Sequence, residues 1–230
     1  MTLVNGNSAR GIPLKEDFPD KVYRRTRERL ARVKQLYDMA KHAQEVELKA
    51  HKFNSSDFTS HLCLEACVAF GAGAWEYYSK NILQWSLDLP RNLAQPARLR
   101  VRTTADGFVA VQHRFAKLYV YEKAREWFMK LLGIDPSVNL DKTEVAFVTI
   151  YCHWRHLVVH NNAEIDVQFL EETKAVFNSH GLTFGQAEGT TFLLHYQPVG
   201  SFLDALDKLI AGVHRTLPDR GGQFAIASPG

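Results

Sequence analysis

Long apolar runs are missing from this chain of 230 residues. A membrane-spanning helix needs about 20 consecutive, predominantly apolar residues. The best candidate stretch, residues 62–78, carries Glu65 and Glu76. We therefore expect no membrane span. The first 19 residues also lack the apolar segment of a secretory signal, so we do not expect one there.

Cysteine is scarce, with Cys63, Cys67 and Cys152 as the three examples. A disulfide framework uses more cysteines in an even number, and free thiols among apolar neighbours suit a reducing compartment. This pattern favours a cytoplasmic protein. Proline (8) and glycine (14) occur at ordinary levels, which excludes collagen-like and wholly disordered classes. No repeat of fixed period is visible.

A strong excess of one charge is also absent, since 28 basic and 25 acidic residues give a net charge of +3. This balance allows a polyanionic partner without requiring one. Basic residues are nevertheless concentrated at 20–34, with seven basic and two acidic side chains, and at 91–107. Such a face is most often solvated surface, but it also suits RNA. The candidate RNA-binding residues in these segments are Arg24, Arg25, Arg98, Arg100 and Arg102.

Apolar residues recur at helical spacing along most of the chain. A long first helix is predicted from Phe18 or Pro19, because one of its faces is apolar every three or four residues as far as Ala40. Further helices are predicted at 57–87, 108–132, 141–160, 166–179 and 201–216, with a small β-hairpin at 183–196. The sequence thus predicts an all-α protein with one helical domain over 18–218. A mobile arm at 1–17 and a disordered tail at 219–230 are expected to flank it.

Two of these helices have unusual composition. The segment 141–160 is apolar on nearly every side, which is typical of a central, buried helix. The second helix has a small, apolar centre that includes Gly71 and Gly73. Glycine lowers helix propensity but allows a neighbouring segment to approach closely, so we expect tight packing there.

The most informative segment is 152–162, at the end of the apolar helix. It contains four side chains that are or can become cationic: His153, Arg155, His156 and His160. Burying a charged group among apolar side chains costs free energy unless the group is paired, so such a group often has a functional role. Any one of these histidines could nevertheless be a hydrogen-bonded core residue or a helix cap. On an ideal helix His156 and His160 lie about 40° apart, whereas Arg155 lies about 140° from His160. Arg155 and His160 acting together would require the long arginine side chain, fraying at the helix end, or a second copy of the chain.

The run from Arg155 to His160, followed by Asn161, resembles the R-x4-6-H motif of the HEPN superfamily, with a histidine directly after the arginine. The continuation 161–166, with Phe169, is similar to HEPN proteins of the RiboL-PSP and related groups. The upstream segment 67–83, with Trp75-Glu76 and Tyr77-Tyr78, is similar to the first core helix of those groups. The resemblance covers about residues 57–180.

This resemblance implies a HEPN-like helical bundle that forms a homodimer, with two R-x4-6-H motifs in one composite cleft. Many members are metal-independent endoribonucleases in toxin–antitoxin, antiviral defence and RNA-processing systems, and an antitoxin or defence-system partner would follow. We expect RNA, including tRNA, as the substrate, and neither a cofactor nor a metal. Other members keep the fold without cleavage, as nucleotide-binding or scaffolding modules, so a binding or dimerisation module is the alternative.

The residue chemistry agrees with a ribonuclease. Histidine titrates near neutral pH and suits His160 to acid–base catalysis, and Arg155 presents a planar fork of donors to phosphate oxygens. His156 would position the phosphate or transfer the second proton, and Asn161 would orient His160 or the phosphate. Glu76 on the facing helix could support the site, although a salt bridge within its own helix is the simpler interpretation.

A metal site is the nearest chemical rival. His153, His156 and His160 have H-x2-H-x3-H spacing, and Cys152 adjoins them. Histidines four residues apart on a helix can share a zinc ion. No convergent carboxylate or cysteine pair is apparent in the sequence, which favours the ribonuclease interpretation over a metal site.

Overall fold

The computed structural model describes residues 18–50, 59–87, 118–160, 164–179, 188–189 and 194–218. These residues form six α-helices and one short 3-10 helix, with no β-strand among them. The predicted all-α fold, including its long first helix, is therefore confirmed. The helices are α1 (Phe18–Lys49), α2 (Thr59–Leu87), α3 (Tyr121–Leu132), α4 (Lys142–His160), α5 (Val167–Ser179) and α6 (Tyr196–Thr216), and the 3-10 helix is Pro136–Asn139.

Local signals in the sequence set several helix ends. Asp141 and Glu144 form a reciprocal capping box at the start of α4, with Asp141 Oδ1 accepting from the Glu144 N–H at 2.8 Å and the Glu144 carboxylate from the Asp141 N–H at 3.0 Å. Asp166 caps α5 by accepting from the Phe169 N–H at 2.7 Å. Gly133 ends α3 with a φ of 67°, a left-handed conformation that favours glycine.

Two predicted boundaries differ from the structure. The third helix begins at Tyr121 rather than 108, because Val120 is extended and residues 118–120 form a turn; residues 108–117 lie outside the described residues. The last helix begins at Tyr196, five residues before the predicted start at Ser201. The hairpin predicted at 183–196 falls mostly outside the described residues, and Tyr196, its last position, is helical.

Contacts from distant helices explain the early start of α6. The Gln44 side chain of α1 accepts from the Tyr196 N–H at 2.8 Å and donates to the Leu194 carbonyl at 3.0 Å. Nδ1 of His61 in α2 accepts from the Leu194 N–H at 3.3 Å. These partners are more than 130 residues away in sequence. One local contact adds to them, because Nδ1 of the N-cap residue His195 accepts from the Gln197 N–H at 3.3 Å.

Helices α2 and α4 form the centre of the bundle, and both pack against α3 and α6. Trp154, Cys152 and Leu157 of α4 are fully buried, which confirms the prediction of a central helix. The predicted close approach occurs at Gly71, where an added Cβ would lie 2.9 Å from Leu203 Cδ2 of α6. Gly73 instead faces open space, with nothing within 4 Å of the equivalent position.

Helix α1 packs along α2 and α6 through its apolar face, which buries Val22, Leu30 and Val33. Its basic face is only partly free for other partners. Arg27 pairs with Asp207 of α6 at 2.5 Å, and Lys34 pairs with Asp204 at 2.9 Å. These two cations therefore help to hold α1 on α6. None of the described helices is long and apolar enough to cross a membrane.

Candidate functional site

The candidate catalytic residues lie in the last turns of α4 and just beyond it. Arg155 and His156 are in the described helix, and both are partly buried. His160 is the last residue of α4, but its side chain is outside the described residues, as is the whole of Asn161. The structure therefore defines the surroundings of Arg155 and His156 in detail.

Arg155 is held by an acidic and an aromatic side chain. Its Nη2 lies 3.0 Å from Oε2 of Glu76 in α2, and both side chains are about a quarter exposed (22% and 28%). The guanidinium carbon also lies 5.0 Å from the ring centroid of Tyr119, within cation–π range. The simpler interpretation of Glu76 as one half of a salt bridge within α2 is wrong, because its recorded ion pair crosses to α4.

Tyr119 connects Arg155 with His156. Its ring is nearly parallel to the His156 imidazole, at an interplanar angle of 6° and a centroid distance of 6.3 Å. Burial raises the pKa of the Tyr119 phenol, against the opposing effect of the Arg155 charge, so the phenol stays protonated at neutral pH. Arg155 and His156 thus both lie beside the ring of Tyr119, which precedes α3 in the chain.

His153 faces a different part of the molecule. Its Nδ1 lies 2.8 Å from Oε2 of Glu172 in α5, and its Nε2 lies 3.4 Å from Oε2 of Glu122 in α3. Burial alone would lower the pKa of His153, but the hydrogen bonds and charges of the two carboxylates outweigh it and raise the pKa. Burial would likewise raise the pKa of Glu122, whereas its hydrogen bonds to His153, Thr149 and the backbone lower it.

This arrangement bears on the rival metal site. Within the described ranges, no group of three or more His, Cys, Asp or Glu side chains is placed to hold a metal ion. Both ring nitrogens of His153 face carboxylates, so this imidazole has no nitrogen directed towards His156. Burial raises the pKa of the Cys152 thiol well above its ordinary value, which disfavours the thiolate that a metal would need.

The candidate RNA-binding arginines lie partly inside and partly outside the described residues. Arg24 and Arg25 are exposed on α1. Arg98, Arg100 and Arg102 lie outside the described residues.

Several side chains around the site were not singled out from the sequence. Tyr119, Glu122 and Glu172 contact the α4 histidines or Arg155 from the turn before α3, from α3 itself and from α5. Each is at least 19 positions from its partner, and isolated Glu and Tyr residues have no distinguishing pattern. Only the packing of the helices reveals them.

Compared with family models, curated proteins and solved structures, the chain gives no match.

Proposed function

We propose that this protein is a metal-independent endoribonuclease of HEPN type, which cleaves RNA by transfer to the 2′-hydroxyl. The observation that supports this most strongly is the setting of Arg155. Its guanidinium is held by Glu76 and lies over Tyr119, beside His156 and five residues before His160. A positioned guanidinium near the His156 imidazole supplies the two kinds of group that this reaction needs.

In the proposed reaction a base removes the proton of the ribose 2′-hydroxyl, and the resulting oxygen attacks phosphorus. The bond from phosphorus to the 5′-oxygen breaks, and that oxygen takes a proton from an acid. His160 acts as base or acid, because imidazole exchanges protons near neutral pH. Arg155 neutralises the additional charge on the phosphorane oxygens, and His156 orients the phosphate or transfers the second proton. Asn161 orients His160.

The proposal includes a homodimer. On an ideal helix Arg155 and His160 point about 140° apart, which makes a site formed by one copy alone difficult. In a two-fold dimer the His160 of a second copy supplies the other proton-transfer group. The resemblance to HEPN proteins extends the proposal to a toxin–antitoxin or antiviral defence role in the cytoplasm, under control of an antitoxin or another defence component.

A non-catalytic HEPN-like module is the second candidate, and one observation favours it. The ion pair with Glu76 gives Arg155 a structural partner between α2 and α4 even without a substrate. A module of this kind would bind RNA or a nucleotide, or would only dimerise. It would keep Arg155 for the stability of the helix pair.

The test is cleavage of total RNA and tRNA in EDTA by the wild type and by the Arg155→Ala and His160→Ala variants, with analysis of the RNA ends. We expect 2′,3′-cyclic phosphate ends from the wild type and a loss of activity of at least about 100-fold in each variant, in the range typical of removed acid–base or charge-stabilising groups. Arg215→Ala and His42→Ala, at exposed positions on α6 and α1, are matched controls that should keep activity.

Three outcomes would contradict the proposal. A folded wild type that leaves all RNA intact would favour the binding module. Cleavage that disappears in EDTA would favour a metal site on the α4 histidines. Cleavage that survives both substitutions would place the active site elsewhere.

A further inference from the structure

A groove of about 670 Å³ lies between α1, α2 and α4, on the side of the bundle that includes Arg155. We call it the arginine groove. The lining residues used below are Arg29, Arg32, Phe70, Gly73, Arg155 and Val159. The groove therefore includes the candidate catalytic residue Arg155 and extends from it to α1.

The groove is positively charged. Arg29 and Arg32 lie one turn apart on α1, and Arg155 faces them from α4. No acidic residue is among the lining residues in the described part of the chain. Arg29 is held in place because its guanidinium carbon lies 4.0 Å from the ring centroid of Tyr77, a close cation–π contact. A ligand that fits this groove carries negative charge at more than one point.

The groove also has an open apolar surface. Phe70 is 61% exposed and Val159 is 50% exposed, which is high for large apolar side chains. Gly73 lies one turn after Phe70 on α2, and, apart from its chain neighbours and the nearby backbone of its own helix, no atom lies within 4 Å of the place where its Cβ would be. The phenyl ring is therefore accessible to a flat group stacked against it.

We propose that the arginine groove binds single-stranded RNA, with phosphates on Arg29 and Arg32, a base stacked on Phe70, and the backbone continuing to Arg155. Proteins bind single-stranded nucleic acids through exposed aromatic rings beside a row of cations. Each base has a flat face that can stack on the ring, and each phosphate linkage has a negative charge that can pair with a cation. The identification of the ligand as RNA, rather than DNA, rests on the proposed ribonuclease function. A second copy of this chain or an apolar peptide would use Phe70 and Val159 but would leave Arg29 and Arg32 without a counter-charge, whereas Arg155 already faces Glu76.

The experiment measures binding separately from cleavage. The probe is a short fluorescein-labelled oligouridylate with 2′-O-methyl groups, which cannot be cut through the 2′-oxygen, and binding is followed by fluorescence anisotropy in EDTA over a range of salt concentrations. We expect Phe70→Ala to weaken binding about 5- to 100-fold, the range for a lost base–aromatic stack. Arg32→Ala should weaken binding and lower the slope of log affinity against log salt by about one.

Matched variants separate these effects from general changes of the surface. Met129→Ala removes an exposed apolar side chain from α3, away from the groove, and Arg215→Ala removes an exposed arginine from α6. Both should bind the probe like the wild type. Because Phe70 and Arg32 are exposed, their substitution should leave the circular dichroism and the unfolding midpoint unchanged.

The proposal is overturned if the wild type does not bind the probe, or if Phe70→Ala and Arg32→Ala bind it as tightly as the controls do. If Phe70→Ala changes the oligomeric state in solution but leaves the affinity for RNA unchanged, the groove is instead a contact between copies of the chain. Failure of the proposed function gives a different pattern, in which the probe binds through the groove but cleavable RNA stays intact.

Discussion

At the scale of single residues, the candidate site depends on the side chains that hold Arg155. Among the described residues, the guanidinium pairs with Glu76 and lies beside the ring of Tyr119. Both contacts are partly exposed, and such ion pairs contribute about 1 kcal/mol or less to stability. Their effect on function is larger than their effect on folding, because a clamp for phosphate must be pre-oriented before the charge develops.

Substitution of Glu76 separates orientation from binding. Glu76→Gln removes the charge that holds Arg155 and leaves one negative charge fewer beside the bound phosphate. We expect cleavage to fall about tenfold or more, while the 2′-O-methyl probe binds as tightly as before or more tightly. The free energy of unfolding should fall by roughly 1 kcal/mol or less. Single-turnover cleavage, anisotropy and urea unfolding measure the three quantities.

A matched variant on the same helix is Lys80→Gln, which changes the charge of α2 at an exposed position. It should keep the wild-type cleavage rate. If Glu76→Gln cleaves as fast as the wild type, then Glu76 does not orient Arg155, and the ion pair has only a structural role.

Among secondary-structure elements, His153 connects three helices. It lies on α4 with 7% of its side chain exposed, and it faces Glu122 of α3 and Glu172 of α5. Since α3 and α5 both contact α4, a protonated imidazole between the two carboxylates holds both helices against the central one. The contact is strongest when all three groups are charged.

This arrangement predicts how stability depends on pH. Because the pKa of His153 is raised in the folded state, its contribution is complete below the ordinary value of 6.5 and is lost as pH rises through the raised value. The pKa of Glu122 is lowered, so its contribution is present above its ordinary value of 4.5 and is lost as the solution becomes more acidic. The contact between His153 and Glu122 should therefore stabilise the fold most between about pH 4.5 and 6.5.

His153→Gln tests this dependence. We expect it to lower the free energy of unfolding by about 1–3 kcal/mol near pH 6, the size of hydrogen bonds to charged groups. The loss should become smaller as the pH is raised towards 9, because the wild-type imidazole loses its proton as the pH passes through its raised pKa. Urea unfolding followed by circular dichroism at several pH values measures the difference. His42→Gln, at an exposed position on α1, is the control. Equal destabilisation at pH 6 and pH 9 would contradict the charged trio.

For the molecule as a whole, α1 determines whether the chain folds as one unit. Its 32 residues lie N-terminal to the helices that carry the candidate site, yet its buried side chains belong to the same hydrophobic core as those of α2 and α4. Its ion pairs with α6 link the two ends of the described chain. We therefore expect one cooperative unfolding transition rather than separate melting of α1.

Leu30→Ala tests this expectation. Leu30 is 1% exposed and lies in the middle of α1. Its truncation should lower the global free energy of unfolding by about 2–5 kcal/mol, as for a leucine in any well-packed core. Arg24→Ala, at an exposed position on the same helix, should change stability by less than about 0.5 kcal/mol. A separate early transition in Leu30→Ala, with the main transition unchanged, would show that α1 is not part of the cooperative unit.

The helical class and most helix ends could be predicted from the sequence, since both depend on interactions between neighbours along the chain. Periodic apolar residues predicted the long α1 and the buried α4, and Asp141, Gly133 and Asp166 mark ends through their own backbone contacts. The sequence also identified Arg155 and His156 as candidate catalytic residues, because charged groups in an apolar helix are unusual in any fold.

The surroundings of these residues depend on how the helices pack and could not be predicted from the sequence. The early start of α6 depends on Gln44 and His61, and the setting of Arg155 depends on Glu76 and Tyr119. The arginine groove joins Arg29 and Phe70 to Arg155 across three helices. Helical periodicity shows which face of a helix is apolar, but contacts between helices depend on how the whole bundle packs, and no local spacing encodes that arrangement.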